Sequence, residues 1–255
     1  MNEETLFNRL RQVYRFPSQS PDWEQRYLIG AGLLFVSFLI PIIPAIFVAG
    51  YFMRLMRNTT RGDELRLPEW QEWGGLAVDG LRYLVVCLVY LLPGILVFFV
   101  GMAAYFTSFI GGAMSAQAND PSSGLFVLGS MLILFGSMAI AMLLFLLGAI
   151  PLPMALAHCA TKESLGAAFR FGEWWPLLWA NKLDYAIAWV NLAGLFAVLY
   201  TVVILAYYSL ILICLALPLS AFIGYYLGLV FAGLFGQIYR ESLQKAEMER
   251  LGSAS

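Results

Sequence analysis

Hydrophobic residues occur along this chain in runs too long for the core of a soluble protein. Residues 27–53 and 185–239 contain no Asp, Glu, Lys or Arg, and residues 83–161 contain only Asp120. A helix needs about 20 apolar residues to cross about 30 Å of hydrocarbon. Only 12% of the residues are charged, against roughly a quarter in soluble proteins. The pattern predicts an all-α polytopic membrane protein, built as a transmembrane helical bundle.

Polar interruptions divide the long runs into separate spans. The loop "SAQANDPSSG" at 115–124 carries the turn residues that separate two helices of the central run. The final run is long enough for two more spans. The predicted spans cover residues 81–108, 125–150, 184–205 and 208–239. Residues 27–240 are thus predicted as a single transmembrane bundle, followed by a cytoplasmic tail over 241–255.

Residues 27–57 allow two interpretations, a re-entrant hairpin or one proline-kinked span. Pro41 and Pro44 remove backbone donors and disfavour helix in the residues before them. Each flanking half is about 13 residues long, which is short for a complete span. The sequence leaves both interpretations open.

The N-terminal segment, residues 1–26, is predicted to lie at the membrane interface as an amphipathic helix. One face of this helix would carry Leu6, Phe7, Leu10, Val13 and Tyr14, and the other Asn8, Arg9, Arg11, Gln12 and Arg15. Arginines on the polar face suit anionic lipid on the cytoplasmic side.

The net charge of −1 conceals a strong clustering of the cations. All 15 Lys and Arg residues except Arg82 fall in four patches, at 9–26, 54–66, 162–182 and 240–250. Because cytoplasmic loops are enriched in Lys and Arg, these patches predict a multi-pass protein of the cell (inner) membrane with both termini cytoplasmic. Membrane lipids are its expected partners, and no nucleic-acid partner is predicted.

Tryptophans beside acidic residues mark predicted contacts with the lipid headgroups. In "RLPEWQEW" a short surface helix is predicted to begin at Pro68, and a similar surface segment is predicted at "FGEWWPLLW". The predicted membrane-interface anchors are Trp70, Trp73, Trp174, Trp175 and Trp179.

Two stretches that precede apolar runs indicate an internal pseudo-repeat. Aligned without gaps, "WGGLAVDGLRY" at 73–83 and "WPLLWANKLDY" at 175–185 share Trp, Leu, Leu and Tyr at matching positions. Asp79 aligns with Asn181, and both residue types favour helix N-caps. Asp79 and Asn181 are therefore predicted to cap the helices that follow them.

Small residues recur at every fourth position of the last predicted span. The ladder consists of Gly224, Gly228, Ala232 and Gly236. Such a stripe lets a second helix approach the backbone closely. It predicts helix packing either within the chain or between two copies, as in a homo-oligomer or with a partner protein.

The sequence contains few residues that could support catalysis, metal binding or ion transport. The only histidine is His158, and the sequence contains no recognised phosphate-binding, zinc-binding or nucleophile motif. We therefore predict no enzymatic activity, no catalytic or metal-ligating residues and no cofactor. The predicted spans also lack ionisable residues at mid-membrane, where ion-coupled transporters place them. We expect a membrane scaffold or accessory subunit that organises lipid or a partner complex; the alternative is a channel or carrier for a lipid-like or small neutral solute.

The N-terminal third resembles a known family. "DWEQRYLIGAGLL" and "GYFMRLMRNTTRGDELRLPEWQEWGGLAVDGLRYLVV" are similar to the domain of unknown function 4013 family of prokaryotic polytopic membrane proteins. The resemblance is most specific over residues 22–95 and looser towards the C-terminus. It implies a compact helical bundle in a bacterial or archaeal membrane, and it implies no activity or site residues.

Overall fold

A computed structural model describes residues 3–208 and 210–253. Every regular element in this part of the chain is a helix, as predicted. The α-helices are α1 (Glu3–Gln19), α2 (Trp23–Val36), α3 (Ile43–Arg61), α4 (Trp73–Gln117), α5 (Ser123–Ala149), α6 (Leu152–Lys162), α7 (Phe171–Ala180), α8 (Lys182–Tyr207) and α9 (Leu210–Ser253). A short 3-10 helix, Leu165–Phe169, precedes α7.

The helices form two compact units. The first unit contains the residues up to Val86 and those from Pro153 onwards, and the second is Cys87–Leu152. In the first unit, α9 packs against α1, α2, α3, α7 and α8. Along α9, Tyr225, Leu229 and Val230 are fully buried. The α9 helix is therefore the centre of this unit.

The proline-containing segment forms two helices that turn back on each other. Tyr27 of α2 and Tyr51 of α3 both lie against the ring of Tyr225, with ring centroids 5.4 and 6.2 Å apart. The chain reverses between them at Pro41, and Ile42 has a positive φ of 81°. This geometry is a helical hairpin rather than one kinked helix. Its depth in a membrane stays a prediction.

The α3 helix ends at a glycine. Gly62 has a φ of 91°, and its N–H donates to the Thr59 carbonyl, while the N–H of Asp63 donates to the Asn58 carbonyl at 3.1 Å. A glycine tolerates this left-handed conformation without a Cβ clash. The chain thereby leaves the helix and continues into an extended segment.

That extended segment, residues 63–72, is where the sequence predicted a surface helix, and the prediction is wrong. Side chains of neighbouring elements satisfy its backbone instead. The N–H of Leu67 donates to Ser20 Oγ at 2.8 Å, and the Tyr51 hydroxyl donates to the Pro68 carbonyl at 2.8 Å. Pro68 also disfavours helix at Leu67. These distant partners are invisible to local periodicity.

The amphipathic pattern of α1 matches its burial where side chains are described. Val13 and Phe16 are buried, whereas Arg11 and Arg15 are exposed. The side chains of residues 3–10, which include Leu6, Phe7, Asn8, Arg9 and Leu10 of the predicted faces, lie outside the described part. Among the described side chains, the apolar face of α1 packs against the chain itself. Placement of α1 at a membrane interface stays a prediction.

The last predicted span and the tail form one helix. The α9 helix continues through residues 241–253, and Lys245 Nζ donates to Asn181 Oδ1 at 2.6 Å. The residues predicted as a tail are thus helical as far as Ser253 and contact the start of α8.

The second unit is a pair of closely packed helical segments from α4 and α5. A Cβ atom added to Gly148 would lie 2.2 Å from the carbonyl oxygen of Tyr90. A Cβ atom on Gly101 would lie 2.1 Å from Cβ of Ser137. Backbones approach this closely only where one side chain is absent.

Four helices of the described chain are long and apolar enough to cross a membrane. These helical stretches are Trp73–Gln117, Ser123–Lys162 (α5 together with α6), Lys182–Ala206 and Cys214–Met248. The chain buries 17%, 6%, 11% and 33% of their most apolar windows, in that order. Most residues of these windows are thus not fully buried by the chain.

Candidate functional site

A buried histidine joins three helices of the first unit. His158, near the end of α6, contacts Glu173 of α7 through Nε2 at 2.9 Å and the Tyr239 hydroxyl of α9 through Nδ1 at 2.6 Å. Both His158 and Tyr239 are buried. We call these three residues the His158 cluster.

Proton positions in the His158 cluster follow from its chemistry. The hydrogen bond from His158 is the largest cause that lowers the pKa of Glu173 below its ordinary value, and the nearby Arg170 lowers it further. An ionised carboxylate only accepts, so His158 Nε2 carries the proton and donates to Glu173. Nδ1 of the neutral ring then accepts from the Tyr239 hydroxyl. Glu173, His158 and Tyr239 therefore form one directed chain of hydrogen bonds.

Next to this cluster lies a cavity of about 390 Å³. It is within the range of small-molecule pockets. The lining residues come from α6, α7 and α9: His158, Thr161, Lys162, Gly172, Glu173, Pro176, Leu177, Tyr239, Leu243, Ala246 and Glu247. The lining thus combines the polar groups of the His158 cluster, the charged side chains of Lys162 and Glu247, and several apolar side chains.

A second polar cluster links α3, α4 and α6. Arg57 Nη2 donates to Asp79 Oδ1 at 2.7 Å, and Arg82 Nη1 donates to the same oxygen at 3.1 Å. Arg57 Nε also donates to the Ala160 carbonyl at 3.2 Å. The Arg57 and Asp79 side chains are only 13% and 6% exposed. This buried ion pair fixes the relative position of the three helices.

The predicted capping role of Asp79 is wrong, whereas that of Asn181 is confirmed for its position but not for a side-chain hydrogen bond. Asp79 lies inside α4, which begins at Trp73, and accepts from two arginines. Asn181 does occupy the N-cap position of α8, but its side chain makes no cap hydrogen bond and accepts from Lys245 instead. Each side chain accepts a hydrogen bond from a cation of another helix. A buried charge without such a partner would be costly.

The aligned stretches therefore share burial but not local structure. Residues 73–83 lie in one helix, whereas residues 175–185 cross the break between α7 and α8. Asp79 and Asn181 are both buried, and each accepts a hydrogen bond from a cation of another helix. Trp73 and Trp175 are both exposed.

The tryptophans predicted as interface anchors occupy different environments. Trp174 is fully buried, and its Nε1 donates to the Ala168 carbonyl at 3.0 Å, so its prediction as an anchor is wrong. Trp174 faces inward on α7 because its neighbours at i+3 and i+4, Leu177 and Leu178, bury the same face. Phe171, Trp175 and Trp179 are exposed, at 52%, 43% and 56%. These three residues recur every fourth position, and we call them the α7 stripe.

In the N-terminal half, Trp70 is held by the protein itself. Its ring stacks on Tyr51 with centroids 4.2 Å apart, and its Nε1 donates to the Arg26 carbonyl at 2.8 Å. Trp73 is exposed and packs edge-on against Phe47. Contact of Trp73 and of the α7 stripe with lipid stays a prediction.

The small-residue ladder of α9 faces helices of the same chain. A Cβ atom on Gly228 would lie 2.2 Å from Cζ of Phe52 in α3, and one on Gly236 would lie 2.9 Å from Cβ of Thr59. At Gly224 the nearest atom, in Leu34 of α2, would be at an ordinary 3.7 Å. Ala232, the remaining member, is fully buried. The stripe therefore packs against α2 and α3.

An apolar groove lies between the α8 and α9 helices. Its volume is about 280 Å³. The lining includes Leu199, Val203, Leu212 and Leu219, with Ser220 as the polar side chain. Within the described residues, no group of three or more His, Cys, Asp or Glu side chains is arranged to hold a metal ion.

Sequence reasoning missed the partners that build these clusters. It singled out His158 but not Glu173 or Tyr239, which are 15 and 81 residues away from it. It also missed Gly50 and Gly80, where α3 and α4 cross. Gly80 follows Asp79 directly, so a glycine beside an acid at the start of an apolar run was the available signal.

Four helices of the described chain that are long and apolar enough to span a bilayer are typical of a helical membrane protein. Residues 33–208 match the family model described as "Protein of unknown function (DUF4013)". The chain belongs to the DUF4013 family, which confirms the resemblance seen in its sequence. Comparisons with curated proteins and with solved structures found no match.

Proposed function

We propose that this protein is a non-enzymatic membrane scaffold or accessory subunit that organises lipid or a partner complex along its spans. The observation that carries the proposal is the low burial of the apolar windows, 6% for α5 and 11% for α8. Helices in a bilayer gain no hydrophobic energy by covering one another, so such surfaces suit lipid or partner helices equally well.

The composition of the spans supports a role without ion transport. Residues 83–119 and 185–239 contain no ionisable Asp, Glu, Lys, Arg or His side chain. Ion-coupled transporters place such groups at the middle of the membrane. The groups with acid–base chemistry instead belong to the His158 cluster and the Arg57–Asp79 pair.

We further propose that both termini lie on the cytoplasmic side of a prokaryotic cell membrane. The basic patches at 54–66, 162–182 and 240–250 meet in the fold. Arg57 donates to the Ala160 carbonyl, Lys245 contacts Asn181, and a Cβ atom on Gly62 would lie 3.2 Å from the Arg240 guanidinium. Convergence of cations on one side agrees with the positive-inside rule.

Site-specific photocrosslinking in native membranes tests the scaffold. Single cysteines carrying a benzophenone replace Leu132 of α5 and Val190 of α8, which are 76% and 70% exposed, after replacement of Cys87, Cys159 and Cys214. Ala141 of α5 is buried and serves as the control position. We expect a discrete protein adduct from an exposed position and none from Ala141. Adducts only to lipids in their bulk proportions would contradict the proposal.

The apolar groove between α8 and α9 favours a second candidate, a carrier for a lipid-like solute. Its wall, apart from Ser220, offers apolar side chains to an acyl chain. Proteoliposomes with a fluorescent lipid, quenched from outside by dithionite, distinguish the two functions. If the protein is a scaffold, the fluorescent lipid should move between the two leaflets as slowly as in protein-free liposomes. A carrier would raise that rate.

A further inference from the structure

The residues of the His158 cluster line the cavity, and their polar groups already have hydrogen-bond partners. His158 uses both ring nitrogens, Nδ1 with Tyr239 and Nε2 with Glu173. The other carboxylate oxygen of Glu173 accepts from Arg170 Nη1 at 3.2 Å. A ligand in the cavity therefore has to be recognised by other side chains of the lining.

Two exposed charged side chains remain at the cavity, and their signs are opposite. Lys162 ends α6, and Glu247 lies on the last turns of α9. Neither forms an ion pair with another residue in the described part of the chain. A ligand that engages both must itself carry an anion and a cation. Zwitterions with a phosphate and a primary ammonium meet this requirement, since Lys162 donates to phosphate oxygens and a carboxylate accepts from N–H groups.

The remaining lining suits the carbon atoms of such a ligand. Pro176 and Leu177 of α7 and Leu243 and Ala246 of α9 form an apolar wall. A headgroup that carries methylene and glycerol carbons between its charges would lie against this wall. A simple inorganic ion would leave it uncovered.

The position of the cavity on α7 connects it to the predicted lipid surface. At 100° per residue, Gly172 and Pro176, which line the cavity, lie next to Trp179 of the α7 stripe on the helix surface. The α8 span begins two residues after α7 ends. A lipid lying along the α7 stripe could thus place its headgroup in the cavity.

We infer that this cavity binds a zwitterionic aminophosphate, the headgroup chemistry of phosphatidylethanolamine, with its phosphate at Lys162 and its ammonium at Glu247. The inference deepens the proposed organisation of lipid but uses a site apart from the exposed spans. Loss of this site would leave the crosslinking result for Leu132 and Val190 unchanged, so the two proposals fail separately.

Native mass spectrometry of the full chain in detergent, titrated with three probes, tests the inference. The probes are dihexanoyl phosphatidylethanolamine, dihexanoyl phosphatidylglycerol and soluble glycerophosphoethanolamine. We expect the wild type to bind phosphatidylethanolamine more tightly than phosphatidylglycerol. Weaker binding of the soluble compound identifies lipid as the source of the headgroup, and equal binding identifies a free aminophosphate.

Substitutions of Lys162 and Glu247 test whether these two side chains bind the phosphate and the ammonium of the ligand. Lys162→Gln and Glu247→Gln should each weaken phosphatidylethanolamine binding by about tenfold, the loss of one charge-assisted hydrogen bond. Glu247→Lys should reverse the preference towards phosphatidylglycerol. Arg66→Gln is the matched control, because Arg66 is exposed, pairs with Glu64 and lies outside both the cavity lining and the α7 stripe. Equal affinity of the wild type for both lipids, or unchanged affinity in both glutamine variants, would overturn the inference.

Discussion

Gly50 of α3 and Gly80 of α4 face each other across a helix crossing that leaves no room for a Cβ atom at either position. A Cβ atom on Gly50 would lie 1.9 Å from the Leu76 carbonyl oxygen, and one on Gly80 would lie 1.8 Å from the Ile46 carbonyl oxygen. The obstructing atoms are backbone, which a rotamer change cannot move. The crossing also places Arg57, two turns after Gly50, and Asp79, directly before Gly80, within hydrogen-bond distance.

Gly80→Ala should destabilise the protein by forcing the α3–α4 crossing apart. We expect a loss of about 1–3 kcal/mol, the usual cost of overpacking. Gly74→Ala is the matched control in the same helix, since a Cβ atom there would meet nothing within 4 Å. The measurement is unfolding of both variants in one detergent. Equal stabilities for Gly80→Ala and Gly74→Ala would show that the two helices do not cross this closely.

The small-residue ladder gives a second prediction, with its control one turn away. Gly228→Ala should lower the unfolding temperature because its new methyl group would meet the Phe52 ring, whereas Gly224→Ala should not. Phe52→Leu should recover part of the loss when combined with Gly228→Ala. A double-mutant cycle should yield a coupling of about 0.5–3 kcal/mol. Additive effects of the two substitutions would contradict packing of the ladder on α3.

The buried Arg57–Asp79 pair gives a third prediction. Asp79→Asn leaves two guanidinium groups around a neutral side chain, and we expect a loss of about 3–5 kcal/mol in the free energy of unfolding. Glu64→Gln is the control, because the Glu64–Arg66 pair is exposed and should contribute at most about 1 kcal/mol. Similar losses in the two variants would show that the buried pair is not a principal contact of the fold.

The lowered pKa of Glu173 predicts that the stability of the fold depends on pH. Its pKa is lowered in the folded protein, chiefly by the hydrogen bond from His158. A lowered carboxyl pKa stabilises the fold above the ordinary value of 4.5, and this contribution disappears as the pH falls through the lowered pKa. Wild type should therefore unfold at a higher temperature than Glu173→Gln at pH 7. The difference should shrink as the pH falls below 4.5, and a difference that keeps growing below pH 4.5 would refute the assignment.

The sequence predicted the helical fold well because long apolar runs leave helices as the available structure in lipid. The predicted span over 125–150 and the observed helix Ser123–Ala149 nearly coincide. The small-residue ladder was also visible, since its spacing lies within one helix. The helices that pack against the ladder, α2 and α3, could not be identified from this spacing.

Features that depend on distant contacts could not be predicted. The segment around Pro68 is extended because Ser20 and Tyr51 bind its backbone, and periodicity carries no information about these partners. Trp174 is buried although a tryptophan beside an acid is typical of a membrane interface. Val230, two positions from Gly228 and from Ala232, is fully buried too, because α9 is surrounded on several faces.

The central claim is that the apolar spans hold partner helices or selected lipid in the native membrane. The most direct measurement is the mass of the particle extracted from native membranes, at native expression, in polymer-bounded nanodiscs without detergent. We expect a protein mass above that of one chain, or a lipid content enriched in one class relative to the bulk membrane. A particle with a single chain and lipids in bulk proportions would contradict it.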